Sequence, residues 1–340
     1  SMDKKSTIRD VARLAQVSVA TAGRILGQYG SYSEESSIKV RRAAKQLGYV
    51  PNMFARNLKN SHMNVIGVVL SDIRNPFHSF LLSSIENHAR SIGYTTMVCN
   101  SDDDMNAEAD MILTLANKGA DGIILASSAM VDTVISPESR LIYEDSVPIV
   151  LVDRGVCGIN RPIVRLDNEK GGYDCVDYLT SLGHSKIGLV MPSNTETCAT
   201  RVAGCRKAFS QKNIPFDDDW CVCIERKREG IVEYLDGWID RHPELTAFIA
   251  LNNLALSNLM YTLKKRGVHV PDDYSIMSWD DSDIARHMEI TTVLQPIDQM
   301  GGMAVDMLFD MMKDDRVTSR VDDRVLTPRI LERKSCIKLE

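Results

Sequence analysis

No apolar run in the 340 residues approaches the roughly 20 residues that a membrane-spanning helix needs. The eight cysteines, at 99, 157, 175, 198, 205, 221, 223 and 336, show no metal spacing. Cys221 and Cys223 form CxC rather than CxxC and have no matching second pair. A disulfide framework does not suit a chain this long, so reduced and mostly buried thiols are expected. The seven histidines contain neither HExxH nor an i,i+4 pair. His78, His88 and His184 read as surface or capping residues. GxSxG, the P-loop and paired CxxC motifs are all missing, and the GG at 171–172 lacks the spacing of a dinucleotide loop. With no nucleophile–base pair and no metal set, neither an enzyme nor a resident cofactor is expected. Lys4 and Lys5 lead into an amphipathic stretch rather than the apolar core of a signal peptide, which points to the cytoplasm.

The composition, 44% hydrophobic and 25% charged, is ordinary for a globular protein, and the length suits two or three domains. Charge is unevenly spread. Residues 1–60 carry 11 Lys/Arg against 4 Asp/Glu, a net of +7, while the other 280 residues hold 29 basic against 42 acidic side chains, a net of −13. A basic module on an acidic body points to a polyanionic partner for the first 60 residues only.

That module begins with "TIRDVARLAQVSVATAGRIL", residues 7–26. Thr7 and Asp10 have capping-box spacing, and Ile8, Val11, Ala12 and Ala15 form one apolar stripe, so a helix is expected over 7–15. A break at Gln16-Val17-Ser18 leads into a second helix capped by Ser18, which runs to about Leu26 before Gly27 and Gly30. Ser33 caps a third helix, with Glu34 and Glu35 in its first turn and Gly48 at its end. Two short helices around a three-residue turn have helix-turn-helix spacing, and the second would enter a major groove. Small side chains at Ala20, Ala22 and Gly23 permit close approach to DNA, and Arg24 suits a guanine edge or a phosphate. Pro51 opens "PNMFARNLKN", a marginal helix with little to pack on, expected to be a linker that orders on binding.

From Asn64 continuous apolar runs alternate with amphipathic ones: "NVIGVVLSD", "TTMVCNSD", "DGIILAS", "VPIVLVD", "SKIGLVMP", "WCVCIE", "TAFIALNN" and "YSIMSWDD" read as strands between helices. This is the signature of parallel sheets covered on both faces. Two successive sets suggest two similar lobes, with a small-molecule site in the crevice at the strand carboxyl ends. Polar residues at those ends are Asp72, Asp153, Arg154, Asn252, Asn253, Asp280 and Asp281, with Asn75, Phe77 and Gln295 in loops. Carboxylates, amides and arginine bond sugar hydroxyls, although any one of these residues could equally be a cap or turn former. Asp167 and Asn168 would cap the helix that follows and support the crossover between lobes.

Taken together, "TIRDVARLAQVSVATAGRIL", "AAKQLGYVPNMFARNLK", "IGVVLSDIRNPF", "GADGIILAS", "VPIVLVDR", "DNEKGGYDCVDYLTSLGHSKIGLV", "RVAGCRKAF", "RGVHVPDDYSIMSWDD" and "TTVLQPIDQMG" resemble the lactose/galactose repressor (LacI/GalR) family of bacterial transcriptional regulators, in collinear order over about residues 7–335. The resemblance implies an all-α helix-turn-helix headpiece (1–50), a hinge helix (51–62), and an α/β core of two parallel-sheet lobes like those of periplasmic binding proteins (63–340). The N-lobe would comprise about 63–165 and 295–325, and the C-lobe 166–294 and 326–340. It further implies a homodimer on a pseudo-palindromic double-stranded operator, at the bacterial nucleoid. The chain has no leucine heptads after "LERKSC", so a dimer is expected rather than a tetramer. Residues implied at the DNA are Thr7, Ser18, Val19, Ala20, Thr21 and Arg24, then Asn52, Ala55, Arg56 and Leu58 of the hinge. Val19 and Ala20 offer only apolar contact, Gly23 stands where the family commonly has Ser, and Leu58 holds the place of the minor-groove wedge. The resemblance favours Phe77, Asp153, Arg201, Asn252 and Asp280 at a carbohydrate effector, and Asp72, Asn75, Trp279 and Gln295 complete the candidate set. "NN" at 252–253 replaces the commoner "ND", and Trp279, where Phe or Tyr is usual, suits either a stacking face or the core. A transporter's solute-binding protein would instead need an export signal and no basic headpiece, and an α/β sugar-processing enzyme would need a catalytic set.

Overall fold

The computed structural model describes residues 6–27, 30–47, 49, 63–225, 229–313 and 322–339. They belong to two compact units, Ser1–Met63 and Asn64–Glu340.

The first unit contains helices α1 (Ile8–Leu14), α2 (Val19–Gly27) and α3 (Glu34–Gln46). The Thr7 hydroxyl accepts the Asp10 N–H, and the Thr7 N–H donates back to the Asp10 carboxylate at 2.9 Å, a complete capping box. Gln16 takes a left-handed φ of 54° and ends the first helical segment. The Ser18 hydroxyl then accepts the Thr21 N–H at 3.0 Å and starts α2. Helices this short are marginal alone. They hold together through a small-residue core in which Val11, Ala12, Ala22, Ile25, Val40 and Ala43 are buried.

The second unit alternates strand and helix. Its first half runs β1 (Val65–Leu70), α4 (Pro76–Ser91), β2 (Thr95–Asn100), α5 (Met105–Asn117), β3 (Gly122–Ala126), α6 (Pro137–Asp145), β4 (Ile149–Val152) and β5 (Ile163–Leu166). The next stretch runs α7 (Asn168–Ser181), β6 (Ile187–Met191), α8 (Glu196–Gln211), β7 (Cys221–Cys223), α9 (Ile231–Arg241), β8 (Ala247–Ala250), α10 (Asn253–Lys265), β9 (Ser275–Trp279), α11 (Asp283–His287) and β10 (Thr291–Leu294). The chain closes with α12 (Ile297–Lys313), β11 (Arg324–Leu326) and β12 (Arg329–Leu331). Two six-stranded sheets result, ordered β11-β5-β4-β3-β1-β2 and β12-β10-β9-β8-β6-β7. Neighbours are parallel except β12, which lies antiparallel to β10. The chain therefore crosses between lobes three times, after β5, after β10 and between β11 and β12.

Continuous apolar strands give each sheet two buried faces. In the N-lobe, Val68, Val150 and Val152 pack beneath α4 and α12, while Val69, Ile123 and Leu151 pack on the other face with Tyr143. In the C-lobe, Phe248 and Ile276 face α9 and α10, and Ile249 and Met277 face α7 and α8. The alternation of long runs does not by itself mark β5, β11 and β12, which have four, three and three residues. Their pairing is set by the crossovers.

Helices α7 and α8 touch backbone to backbone. A Cβ on Gly172 would stand 2.0 Å from the Arg201 carbonyl oxygen, and one on Gly204 would stand 1.9 Å from that of Glu169. The GG pair at 171–172 is thus a packing device that seats Arg201.

Two expectations require correction. His78 and His184 are each 1% exposed, not surface residues. His184 is held between the Thr246 hydroxyl (2.8 Å) and the Ile337 carbonyl (3.0 Å), which satisfies a buried ring that hydropathy alone places outside. All eight cysteines are free, but only Cys175, Cys198 and Cys205 are buried, and Cys157 is exposed.

Candidate functional site

Both lobes direct the carboxyl ends of their strands at one cleft, where a cavity of about 40 Å³ lies. From the N-lobe come Asn75, Phe77 and His78 at the start of α4, with Asp153 and Arg154 after β4. The Asn75 side chain caps α4 by accepting the Phe77 N–H at 3.1 Å. Phe77 and His78 pack edge to face with ring centroids 5.4 Å apart. The His78 Nδ1–H donates to the Asp72 carbonyl at 2.7 Å. Burial and the nearby Arg154 push the His78 pKa down, so its Nε2 is an acceptor at neutral pH.

The C-lobe contributes Thr195, Thr197 and Arg201 from the first turns of α8, with Asn252, Asp280 and Gln295 after β8, β9 and β10. Arg201 is 4% exposed. Its Nε donates to Asn168 Oδ1 at 2.8 Å, its Nη1 donates to the Leu251 carbonyl at 2.5 Å, and its guanidinium stacks 4.2 Å over the Trp279 ring. Asp280 accepts hydrogen bonds from Gln295 Nε2 (2.5 Å) and Asn253 Nδ2 (3.2 Å). Its carboxyl pKa is pushed up to about 6, because burial outweighs the Arg201 charge and the Gln295 hydrogen bond, and Asp153 adds like-charge repulsion.

With their donor ends spent on Asp280, the two amides leave Asn253 Oδ1 and Gln295 Oε1 buried without partners among the described residues. Arg154 Nη1 is likewise buried without a hydrogen bond, while Arg154 Nη2 donates to Ser71 Oγ at 3.3 Å. An unsatisfied buried polar group costs about 1–3 kcal/mol. At the cavity wall, the Gln295 oxygen and Arg154 Nη1 are therefore an acceptor and a donor that a hydroxyl-rich molecule can satisfy together.

Of the residues expected at an effector, Asn75, Phe77, Asp153, Arg201, Asn252, Asp280 and Gln295 line this cavity. Asp72 and Trp279 do not. The Asp72 carboxylate turns to Arg74, accepting from its Nε at 3.0 Å and its backbone N–H at 3.1 Å. Trp279 is 0% exposed and packs in the C-lobe core, where a Cβ on Gly171 would meet its ring at 2.8 Å. It backs Arg201 instead of presenting a stacking face. Asp281 pairs with Arg333 and Arg286. His78, read from sequence as a surface or capping residue, and Thr195 and Thr197, which the sequence does not mark as site residues, also line the cavity. The signal available for the threonines was the capping pattern ahead of Arg201.

In the first unit, Thr7, Ser18, Val19 and Ala20 are exposed, with Val19 at 46%, while Thr21 and Arg24 are half-buried. Asn52, Ala55, Arg56 and Leu58 lie outside the described residues. Among the described residues no group of His, Cys, Asp and Glu could hold a metal, and no helix is long and apolar enough to cross a membrane.

Two family models match the chain: "Bacterial regulatory proteins, lacI family" over residues 7–52 and "Periplasmic binding protein-like domain" over residues 176–336. The HTH-type transcriptional regulator DegA of Bacillus subtilis is 31% identical over 300 residues, covering 87% of this chain and 88% of that protein. The chain belongs to the LacI family of bacterial regulatory proteins. It is a DNA-binding transcriptional regulator and not an enzyme. The HTH-type transcriptional repressor PurR of Photobacterium profundum is 29% identical over 333 residues, 97% of this chain and 98% of that protein. The fold of this family member matches that of the Lac repressor dimer bound to operator and the anti-inducer ONPF, with a TM-score of 0.81 at 22% identity over 98% of this chain and 100% of that one. A LacI family regulator from Enterococcus faecium with bound ribose matches with a TM-score of 0.69 at 27% identity, covering 81% of this chain and 100% of that one.

Proposed function

We propose that this regulator is a repressor whose affinity for a pseudo-palindromic operator is set by a carbohydrate bound between the lobes of its larger unit. The observation that carries the proposal is the cleft chemistry: Asp280 and Arg201 face Asp153 and Arg154 across one cavity, with the unsatisfied Gln295 amide oxygen beside them. A polyol supplies donors to that oxygen and to the carboxylates, and acceptors to the guanidinium groups. The ribose bound to the Enterococcus faecium relative agrees with that chemistry.

At the DNA, α2 lies in the major groove. Val19 and Ala20 make apolar contacts with base edges, and Arg24 binds a guanine or a phosphate. Thr7, Ser18 and Thr21 bond the backbone, and Asn52, Ala55, Arg56 and Leu58 form a hinge that enters the minor groove. Two copies act together, and the exposed N-lobe side chains Phe80, Val98 and Leu113 offer surface for the second copy. The protein works in the cytoplasm, at the nucleoid. A ligand shifts DNA affinity only by as much as it prefers one lobe arrangement over another. An effector touching both Asp153 and Asp280 has that preference by construction. Electrophoretic mobility shifts of the full chain on the DNA upstream of its own gene, with and without a sugar panel, test this. Retarded DNA that at least one sugar releases or tightens is expected, and indifference to every sugar contradicts it.

A further inference from the structure

A second cavity, of about 290 Å³, lies beside the first, at the lobe crossovers. Asp153 and Thr197 line both cavities. Ligand pockets run from about 300 Å³ upward, whereas a water in the liquid occupies about 30 Å³. The first cavity, at about 40 Å³, falls below that range in the ligand-free protein, while its neighbour reaches its lower end.

The larger cavity is built from the lobe crossovers and two helix starts. Arg165 comes from β5, Asp167 and Glu169 stand at the start of α7, and Glu196 and Thr200 at the start of α8. Glu196 ties the lobes together across it: its carboxylate accepts the Gly155 N–H at 2.8 Å and an Arg165 hydrogen bond at 3.3 Å. Asp153 is 7% exposed, faces the cavity and accepts no hydrogen bond among the described residues. Its nearest cationic atom, Arg154 Nε, is 3.8 Å away. Its oxygens open onto the cavity, where none of the described protein groups supplies a donor.

The charge of the lining selects what can enter. Four acidic side chains, Asp153, Asp167, Glu169 and Glu196, stand against one arginine, Arg165. Helix starts ordinarily favour anions by about 0.3–1 kcal/mol. Here that preference is already used: Asp167 Oδ1 takes the Lys170 N–H at 2.9 Å, and Glu169 and Glu196 occupy the first turns. A phosphate or carboxylate on the ligand would meet like charge. Hydroxyl groups would satisfy Asp153 and reach Thr197 and Thr200.

We infer that the crossover cavity is a second subsite, taking the neutral, hydroxyl-rich second unit of a disaccharide whose first unit sits between Asp280 and Arg201. This rests on the proposal that the cleft binds carbohydrate.

Isothermal titration calorimetry on the full chain tests it with cellobiose, maltose, lactose, trehalose and melibiose, with glucose and galactose, and with glucose 6-phosphate. At least one disaccharide should bind ten-fold or more tightly than either of its own monosaccharides, and glucose 6-phosphate should give no heat. Thr200→Trp, which fills the crossover cavity, should erase the disaccharide's advantage while leaving monosaccharide affinity unchanged. The wild-type comparison stands even if that variant does not fold. A monosaccharide or glucose 6-phosphate as the tightest ligand overturns the second subsite and leaves the carbohydrate site standing, as does a folded Thr200→Trp that still prefers the disaccharide. Heat from none of these sugars contradicts both.

Discussion

Asp153 and Asp280 hold matching places in the two lobes. Each follows the third strand of its sheet, β4 in one and β9 in the other, and each takes a left-handed φ, of 69° and 70°. That backbone region is uncommon for residues other than glycine, with Asp and Asn enriched there, and it turns both carboxylates toward the same cleft. Their mutual repulsion is one of the causes that raise the Asp280 carboxyl pKa. A pair of like charges facing each other at the strand ends gives the ligand-free protein a reason to respond to whatever supplies donors between them.

The pH dependence of stability should report this directly. The Asp280 carboxyl titrates at about 6 in the fold, above its value of about 3.9 in an unfolded chain. The folded state therefore binds the proton more tightly, so the penalty is absent below about pH 4, grows as pH rises through 6 and stays constant beyond. A two-unit difference corresponds to about 3 kcal/mol. Asp280→Asn should remove that penalty, since its amide can donate to the free oxygen of Asn253 or Gln295. The variant should melt higher than wild type at pH 8 and equal to it at pH 4 in urea or thermal titrations. A variant less stable at pH 8 would contradict the origin given for the shift.

Gly172→Ala should loosen the seat of Arg201. The added Cβ would meet the Arg201 carbonyl oxygen at 2.0 Å, with backbone on both sides and nothing flexible to give way. A loss of about 1–3 kcal/mol in denaturant unfolding is expected, as for overpacked cores, together with weaker effector binding. Unchanged stability would mean that the two helices are not held at this distance.

Glu196→Ala should open the cleft. It removes the acceptor for the Gly155 N–H and for Arg165, leaving the lobes joined on that side by the Met130–Thr195 bridge and the Val131 N–H to Asn194 carbonyl bond at 3.1 Å. Small-angle scattering of the ligand-free variant should give a larger radius of gyration than wild type. Superimposable curves would show that Glu196 does not hold the lobes.

Arg24→Ala should weaken operator binding by about 1–3 kcal/mol and leave the heat of effector binding unchanged. Equal operator affinity, measured by fluorescence anisotropy, would remove Arg24 from the DNA surface.

The sequence discloses the strands because a parallel sheet covered on both faces demands unbroken apolar runs, as in "VIGVVL" and "GIILA". It discloses the strand-end carboxylates as candidates but not their directions. Asp72 and Asp153 both follow such a run, yet Arg74, two residues on, draws Asp72 away from the cavity, while Asp153 stays inside it. Trp279 and His78 show the same limit. Each is polar at one edge and apolar elsewhere, and only the packing decides which edge faces the ligand: Trp279 lies under Arg201, and His78 lies at the cavity wall. The three crossovers, which draw α12 back onto the N-lobe, are contacts between segments far apart in the chain, and local periodicity carries no trace of them.

Control of DNA affinity from the cleft is tested most directly by fluorescence anisotropy on labelled upstream DNA, titrating wild type and Asp280→Ala with and without the sugar panel. The wild type should change its DNA affinity at least ten-fold with one of the sugars, while Asp280→Ala binds the DNA equally well and ignores that sugar. A variant that still responds, or a wild type that responds to none, would contradict it.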